Sequence, residues 1–112
     1  MASLTTNDGR SLGVYFTGYL DKIKPAGYFR GASYKKRFVV LTSEAVHWFK
    51  RPEGYDLFGE ERGRIGLDNI LSVEHDNTDN LVFTIQNTDN VVRPFKAQSD
   101  TNCEEWITAI RS

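Results

Sequence analysis

A chain of 112 residues, 39% apolar and 26% charged, is long enough to bury one core without disulfides or metal, and a single main domain is expected. No apolar run approaches the ~20 residues of a membrane-spanning helix, Met1 to Arg10 lacks the apolar region of a signal peptide, and a lone Cys103 cannot close an internal disulfide, which fits a reducing compartment such as the cytosol. The net charge of −1 hides an asymmetry: residues 1–40 hold seven cations against two acids, net +5, while residues 41–112 hold seven against thirteen, net −6. A near-neutral molecule with one basic end can orient at an anionic surface. Nucleic-acid binders are more often basic throughout, so no nucleic-acid partner is expected.

In chain order, residues 1–12 are polar and contain the turn-forming Asn7-Asp8-Gly9, which predicts a mobile leader ahead of a domain over 13–112. Ala2 in place of Gly removes the myristoylation pattern. Gly13 to Lys24 reads as a first strand with Lys22 and Lys24 on one face. Pro25 to Ser33 is a loop carrying Tyr28, Phe29 and Arg30 between Gly27 and Gly31. The second strand, Tyr34 to Leu41, opens on three cations, and alternation sends Lys35 and Arg37 to one face and Lys36 to the other. Two long cations at the start of a strand that is otherwise apolar suggest an anion held between the first two strands. The competing reading is a solvated edge whose lysines guard against strand-to-strand aggregation.

A third strand follows at Ala45 to Lys50, after the turn Thr42-Ser43-Glu44. Arg51 to Glu61 is a polar connection with an aromatic island at Tyr55 and Phe58. Short strands are expected at Gly63 to Leu67, Ile70 to Glu74, Leu81 to Gln86 and Val91 to Ala97. The repeated Asn77-Thr78-Asp79-Asn80 and Asn87-Thr88-Asp89-Asn90 read as turns. A calcium loop is not expected, because Leu81 stands where an EF-hand needs glycine and Asn87 where it needs its last glutamate. The period then changes: Cys103, Trp106, Ile107 and Ile110 mark the apolar stripe of a closing helix, with Thr101 and Glu104 as a capping box and Ser99 or Asp100 as rival caps. Trp106 is expected to plug the core.

Catalysis is not expected. His47 and His75 form no ligand or triad pattern with Cys103, His47 reads as a surface-face strand residue and Cys103 as packed, and no phosphate-binding loop or nucleophile elbow is present. No metal or cofactor is expected either. Tyr28 and Phe29, flanked by cations, suit insertion at an anionic bilayer interface, whereas the acids around Tyr55 and Phe58 favour rim packing or protein contact.

Taken together, Gly18-Tyr19-Leu20-Asp21-Lys22, the basic run Lys35-Lys36-Arg37-Phe38-Val39-Val40, the aromatic Ala45-Val46-His47-Trp48-Phe49 and the terminal Glu104-Glu105-Trp106-Ile107 resemble, in that order, a pleckstrin homology (PH) domain. The resemblance runs from Gly18 to Ser112. It implies a mainly β fold: a seven-stranded, partly open barrel of two antiparallel sheets capped by one C-terminal helix. It further implies a membrane-recruitment module, cytoplasmic and peripheral at the cytosolic face of a membrane, which binds phosphoinositide or other anionic headgroups such as phosphatidic acid. On this resemblance Lys22, Lys35 and Arg37 occupy phosphate-contacting positions, with Arg62 a looser match; the charge pattern itself adds Lys24, Lys36 and Arg30 as cations attracting the bilayer. Trp48 departs from a tyrosine often found in strong binders of 3-phosphorylated phosphoinositides; its indole N–H donates but cannot accept. The alternative is a protein-interaction module of the same fold with little lipid binding. A monomer is expected.

Overall fold

The computed structural model describes residues 3–5, 9–24, 33–50 and 61–111. Its elements are β1 (Ser3–Thr5), β2 (Ser11–Lys24), β3 (Ser33–Thr42), β4 (Ala45–Phe49), β5 (Glu61–Gly66), a 3-10 turn (Leu67–Asn69), β6 (Ile70–His75), β7 (Val82–Asn87), β8 (Val92–Lys96) and α1 (Asp100–Arg111). Hydrogen bonding runs β5-β4-β3-β2-β8-β7-β6, with β1 added along β2, and every described pairing is antiparallel. The seven strands marked by the sequence are present, with an eighth at the N-terminus. Seven of them form one hydrogen-bonded path, because β2 pairs with both β3 and β8, and this path makes the mainly β, partly open antiparallel fold that was expected. No ladder joins β5 to β6 among the described residues, so the sheet rolls up without closing.

One core joins all seven of these strands to the helix: Leu20, Val39, Val46, Trp48, Ile65, Val73, Phe83, Phe95 and Trp106 are among its buried members. A flat sheet cannot bring both of its ends to one cluster, so the rolled shape follows from this membership. Trp106 is fully buried, stacks on Phe16 with ring centroids 4.6 Å apart, and meets Gly18, where an added Cβ would lie 3.5 Å from the indole. It is the plug that the helical stripe predicts. Removing so large a buried side chain costs about 3–5 kcal/mol.

The β2 strand changes face along its length. Its register with β3 shifts between Val14 and Phe16, leaving Tyr15 as an extra residue that is 66% exposed. A one-residue bulge reverses the alternation of side chains. Val14 therefore packs in a second cluster with Leu4, Phe38, Val40 and Phe49, while Phe16 and Leu20 join the main core. The segment 1–12, read from its polarity as a leader, contains β1, and Leu4 pairs with Leu12 with both buried. Three residues are too few to show a strand period in the sequence.

Burial on both sides makes all five residues of β4 buried, and this corrects the surface-face reading of His47. Its ring is 2% exposed, with Nε2 3.0 Å from the Thr42 hydroxyl and Nδ1 2.9 Å from a Glu61 carboxylate oxygen. Polar partners on both nitrogens make the burial tolerable.

The helix cap is Ser99: its Oγ accepts the Asn102 N–H at 3.0 Å and its carbonyl accepts the Cys103 N–H at 2.9 Å. Thr101 falls inside the first turn, so the expected capping box is replaced by the rival cap. At the other end the Arg111 guanidinium donates to the Val73 carbonyl, tying α1 to β6. Burial pushes the Cys103 thiol up, with neighbouring acids adding to the effect, and the thiol is packed as expected. Both repeated tetrapeptides are turns. The Asp76 carboxylate accepts the Thr78 hydroxyl and the Thr78 and Asp79 N–H groups, which holds its pKa below the ordinary 3.8. That contribution to stability is present at neutral pH and is lost as pH falls through the lowered value.

Candidate functional site

The inner face of the rolled sheet is apolar at the helix end and cationic at the other. Along β2 it reads Phe16, Gly18, Leu20, Lys22; along β3, from the opposite direction, it reads Leu41, Val39, Arg37, Lys35. Register places Lys22 directly opposite Lys35 and Leu20 opposite Arg37. Since Leu20 is in the core, its cross-strand partner and the two lysines beyond it share that inner face. Six residues separate Phe16 from Lys22, roughly 20 Å of strand, so the cations lie at the mouth opposite the helix plug.

Trp48 provides the wall beside them. It pairs with Val39 on one side and Gly63 on the other, and only glycine fits there: an added Cβ would lie 2.4 Å from an indole carbon. The Lys22 ammonium lies 5.7 Å from the Trp48 ring centroid, within the range of cation–π attraction. The Arg93 guanidinium on β8 lies at the same distance, 5.7 Å. Phe95 makes a T-shaped contact with the indole, with centroids 5.8 Å apart.

Proline shapes the third side of the mouth. Ala97 N–H donates to the Leu81 carbonyl, so the odd-numbered residues of β8 turn their backbone groups toward β7. Pro94 then presents its missing N–H toward β2, and the β2–β8 ladder consists only of Asp21 with Lys96 and Lys22 with Phe95. Beyond that point no β2–β8 pair forms among the described residues.

The structure therefore brings Lys22, Lys35 and Arg37 together on one face. Lys36 lies on the outer face, with its ammonium 4.9 Å from the Tyr19 ring centroid. Lys24 is the last residue of β2, in register with Ser33. Arg62 is exposed on β5 beside Gly63, where the β4–β5 register shifts. Arg30, Tyr28 and Phe29 lie outside the described residues. Sequence reasoning missed Arg93. Its signal was parity: Arg93, Phe95 and Ala97 alternate, and a core Phe95 carries Arg93 to the same side.

Comparison with known proteins agrees with this architecture. The sequence matches the PH domain family over residues 14–112, and the chain belongs to that family. No curated protein sequence matches it. Among solved structures it is similar to the carboxyl-terminal PH domain of pleckstrin, with 26% identity and a TM-score of 0.66 over 88% of this chain and 94% of that one. The PH domain of human oxysterol binding protein-related protein 11 gives 19% identity and a TM-score of 0.67, covering 86% of this chain and 76% of that one. The DH/PH fragment of PDZRHOGEF, in a complex with human RhoA, gives 13% and 0.71, over 89% of this chain. This chain spans 28% of the length of that fragment. PH domains bind lipids or proteins and are typically non-enzymatic modules. No described helix is long and apolar enough to cross a membrane.

Proposed function

We propose that this domain recruits its chain to membranes by taking the phosphorylated headgroup of an anionic lipid, a phosphoinositide or a simpler lipid such as phosphatidic acid, into the mouth between β2 and β3. One observation carries this reading: Lys22 faces Lys35 across the ladder, with Arg37 on the same face. Like charges set directly opposite one another destabilise a sheet. Among the described residues Lys35 and Arg37 form no ion pair with a carboxylate. A multiply charged anion relieves that repulsion and accepts charge-assisted hydrogen bonds from all three. Lys24 and Arg30 add longer-range attraction, Arg62 serves the rim, and Tyr28 and Phe29 enter the bilayer interface. The domain acts as a monomer, peripheral at the cytosolic face.

A liposome panel tests this. Sedimentation is expected with phosphatidylcholine vesicles doped with phosphatidylinositol 4,5-bisphosphate or phosphatidic acid, and not with phosphatidylcholine alone. Equal sedimentation with neutral vesicles sinks the headgroup reading. A protein-docking module then takes its place, a reading favoured by the exposed Tyr15, Leu71 and Val92.

A further inference from the structure

We infer that Arg93 is a phosphate-binding residue which, with Lys22 on the same Trp48 ring, makes the mouth favour ligands carrying two or more phosphate groups. This rests on the headgroup reading above and deepens it. Arg93 stands on β8 in register with Ile85, two residues before the Phe95 that pairs with Lys22, so it shares the inner face with Lys22. Its guanidinium and the Lys22 ammonium each lie 5.7 Å from the centroid of the same indole, so they are no more than 11.4 Å apart, twice that distance.

A purely structural role fits Arg93 poorly. The Arg93 Nε is buried and meets no hydrogen-bond acceptor among the described residues. Among the described residues no carboxylate pairs with the side chain, whose guanidinium lies against the Trp48 ring. Burying a guanidinium N–H without an acceptor is costly. An apolar side chain would cover the indole without that cost, as Phe95 does two residues along. Two cations sharing one ring also repel each other. An anion at the mouth supplies the acceptor and relieves the repulsion together.

The spacing of the strands sets the ligand class. Cations come from β3 (Lys35, Arg37), β2 (Lys22) and β8 (Arg93), and β2 lies between the other two. Neighbouring strands are about 4.8 Å apart, which puts β3 and β8 about 10 Å apart. A single phosphate has to draw the long side chains of both flanks inward, whereas a ring bearing phosphates on two sides offers each flank its own group. Such a ligand is either a polyphosphorylated lipid headgroup or a free inositol polyphosphate. The Trp48 ring holds both inner cations within cation–π range and so preorganises them.

The test measures wild type and Arg93→Gln against four probes: soluble inositol 1,4,5-trisphosphate, soluble glycerol 3-phosphate, and vesicles of phosphatidylcholine with phosphatidylinositol 4,5-bisphosphate or with phosphatidic acid. The inference expects the variant to lose about tenfold in affinity for the trisphosphate or the bisphosphate vesicles, with the weaker monophosphate binding unchanged. Loss in the vesicle arm alone identifies the lipid as the source, and loss in both arms identifies chemistry shared with the free headgroup. Should Arg93→Gln melt early, Arg93→Lys keeps the charge without the planar fork, and about a threefold loss confined to the multiply phosphorylated probes is expected. A folded Arg93 variant that binds those probes like wild type overturns the inference alone, as does wild-type protein that does not distinguish one phosphate from several. Wild-type protein that binds none of the probes overturns the headgroup reading itself.

Discussion

At the scale of single residues, three adjacent cations divide by face. Lys35 and Arg37 share the inner face with Lys22, and Lys36 rests over Tyr19 outside. Lys35→Ala or Arg37→Ala should each cost about 1.5–3 kcal/mol of headgroup affinity, the worth of a charge-assisted hydrogen bond. Lys36→Ala should cost about 1 kcal/mol or less, the worth of one cation near an anionic surface. Vesicle titration of the three variants checks this, and equal losses would mean a diffuse patch with no site. Gly63→Ala makes a sharper point. With an added Cβ 2.4 Å from the indole, Trp48 has to move, and overpacking of this kind costs about 1–3 kcal/mol. Both the melting temperature and the tryptophan emission should change, and Lys22 and Arg93 should lose their shared platform. An unaltered emission spectrum would show that Trp48 is not held by Gly63.

At the scale of elements, β1 shows what the sequence conceals. The alternation of Lys35 and Arg37 with Val39 and Leu41 was readable because a ten-residue strand displays its period. So was the change of period at Cys103 and Trp106. Ser3–Thr5 was not readable, because one leucine in three residues carries no period and its partner Leu12 sits just before a bulge. The same bulge hid the outer cluster that buries Phe49 and, beside it, His47. Arg93 was hidden differently: one arginine in an edge-like Val-Val-Arg-Pro run looks solvent-facing until the β8 pairing is known. Leu4→Ala should lower stability by about 2 kcal/mol and leave headgroup binding by the folded fraction unchanged, since β1 packs on the outer face. Urea unfolding together with vesicle titration checks this, and a matching loss of affinity would mean that β1 supports the mouth.

At the scale of the molecule, the basic end and acidic remainder make orientation part of binding. The +5 half contains the mouth strands β2 and β3, and the −6 remainder is repelled by an anionic surface. Binding to anionic vesicles should fall steeply between 0.1 and 1 M salt as the screening length drops from about 10 Å to about 3 Å. Residual binding at the upper limit is expected from Tyr28 and Phe29, because apolar insertion is not screened. Complete loss would remove the insertion role and leave an electrostatic account.

Tyr15 has a consequence for how this domain can vary. It works as a parity switch, dividing β2 into a stretch counted for the outer cluster and a stretch counted for the main core. Deleting that one residue would put the two counts in phase. Leu12 and Val14 would then turn inward at the helix end while Leu4, Val40 and Phe49 lost their cover, although no apolar residue had been removed. The length of this strand is therefore under tighter constraint than its composition. Substitution at Tyr15 should be tolerated where deletion is not.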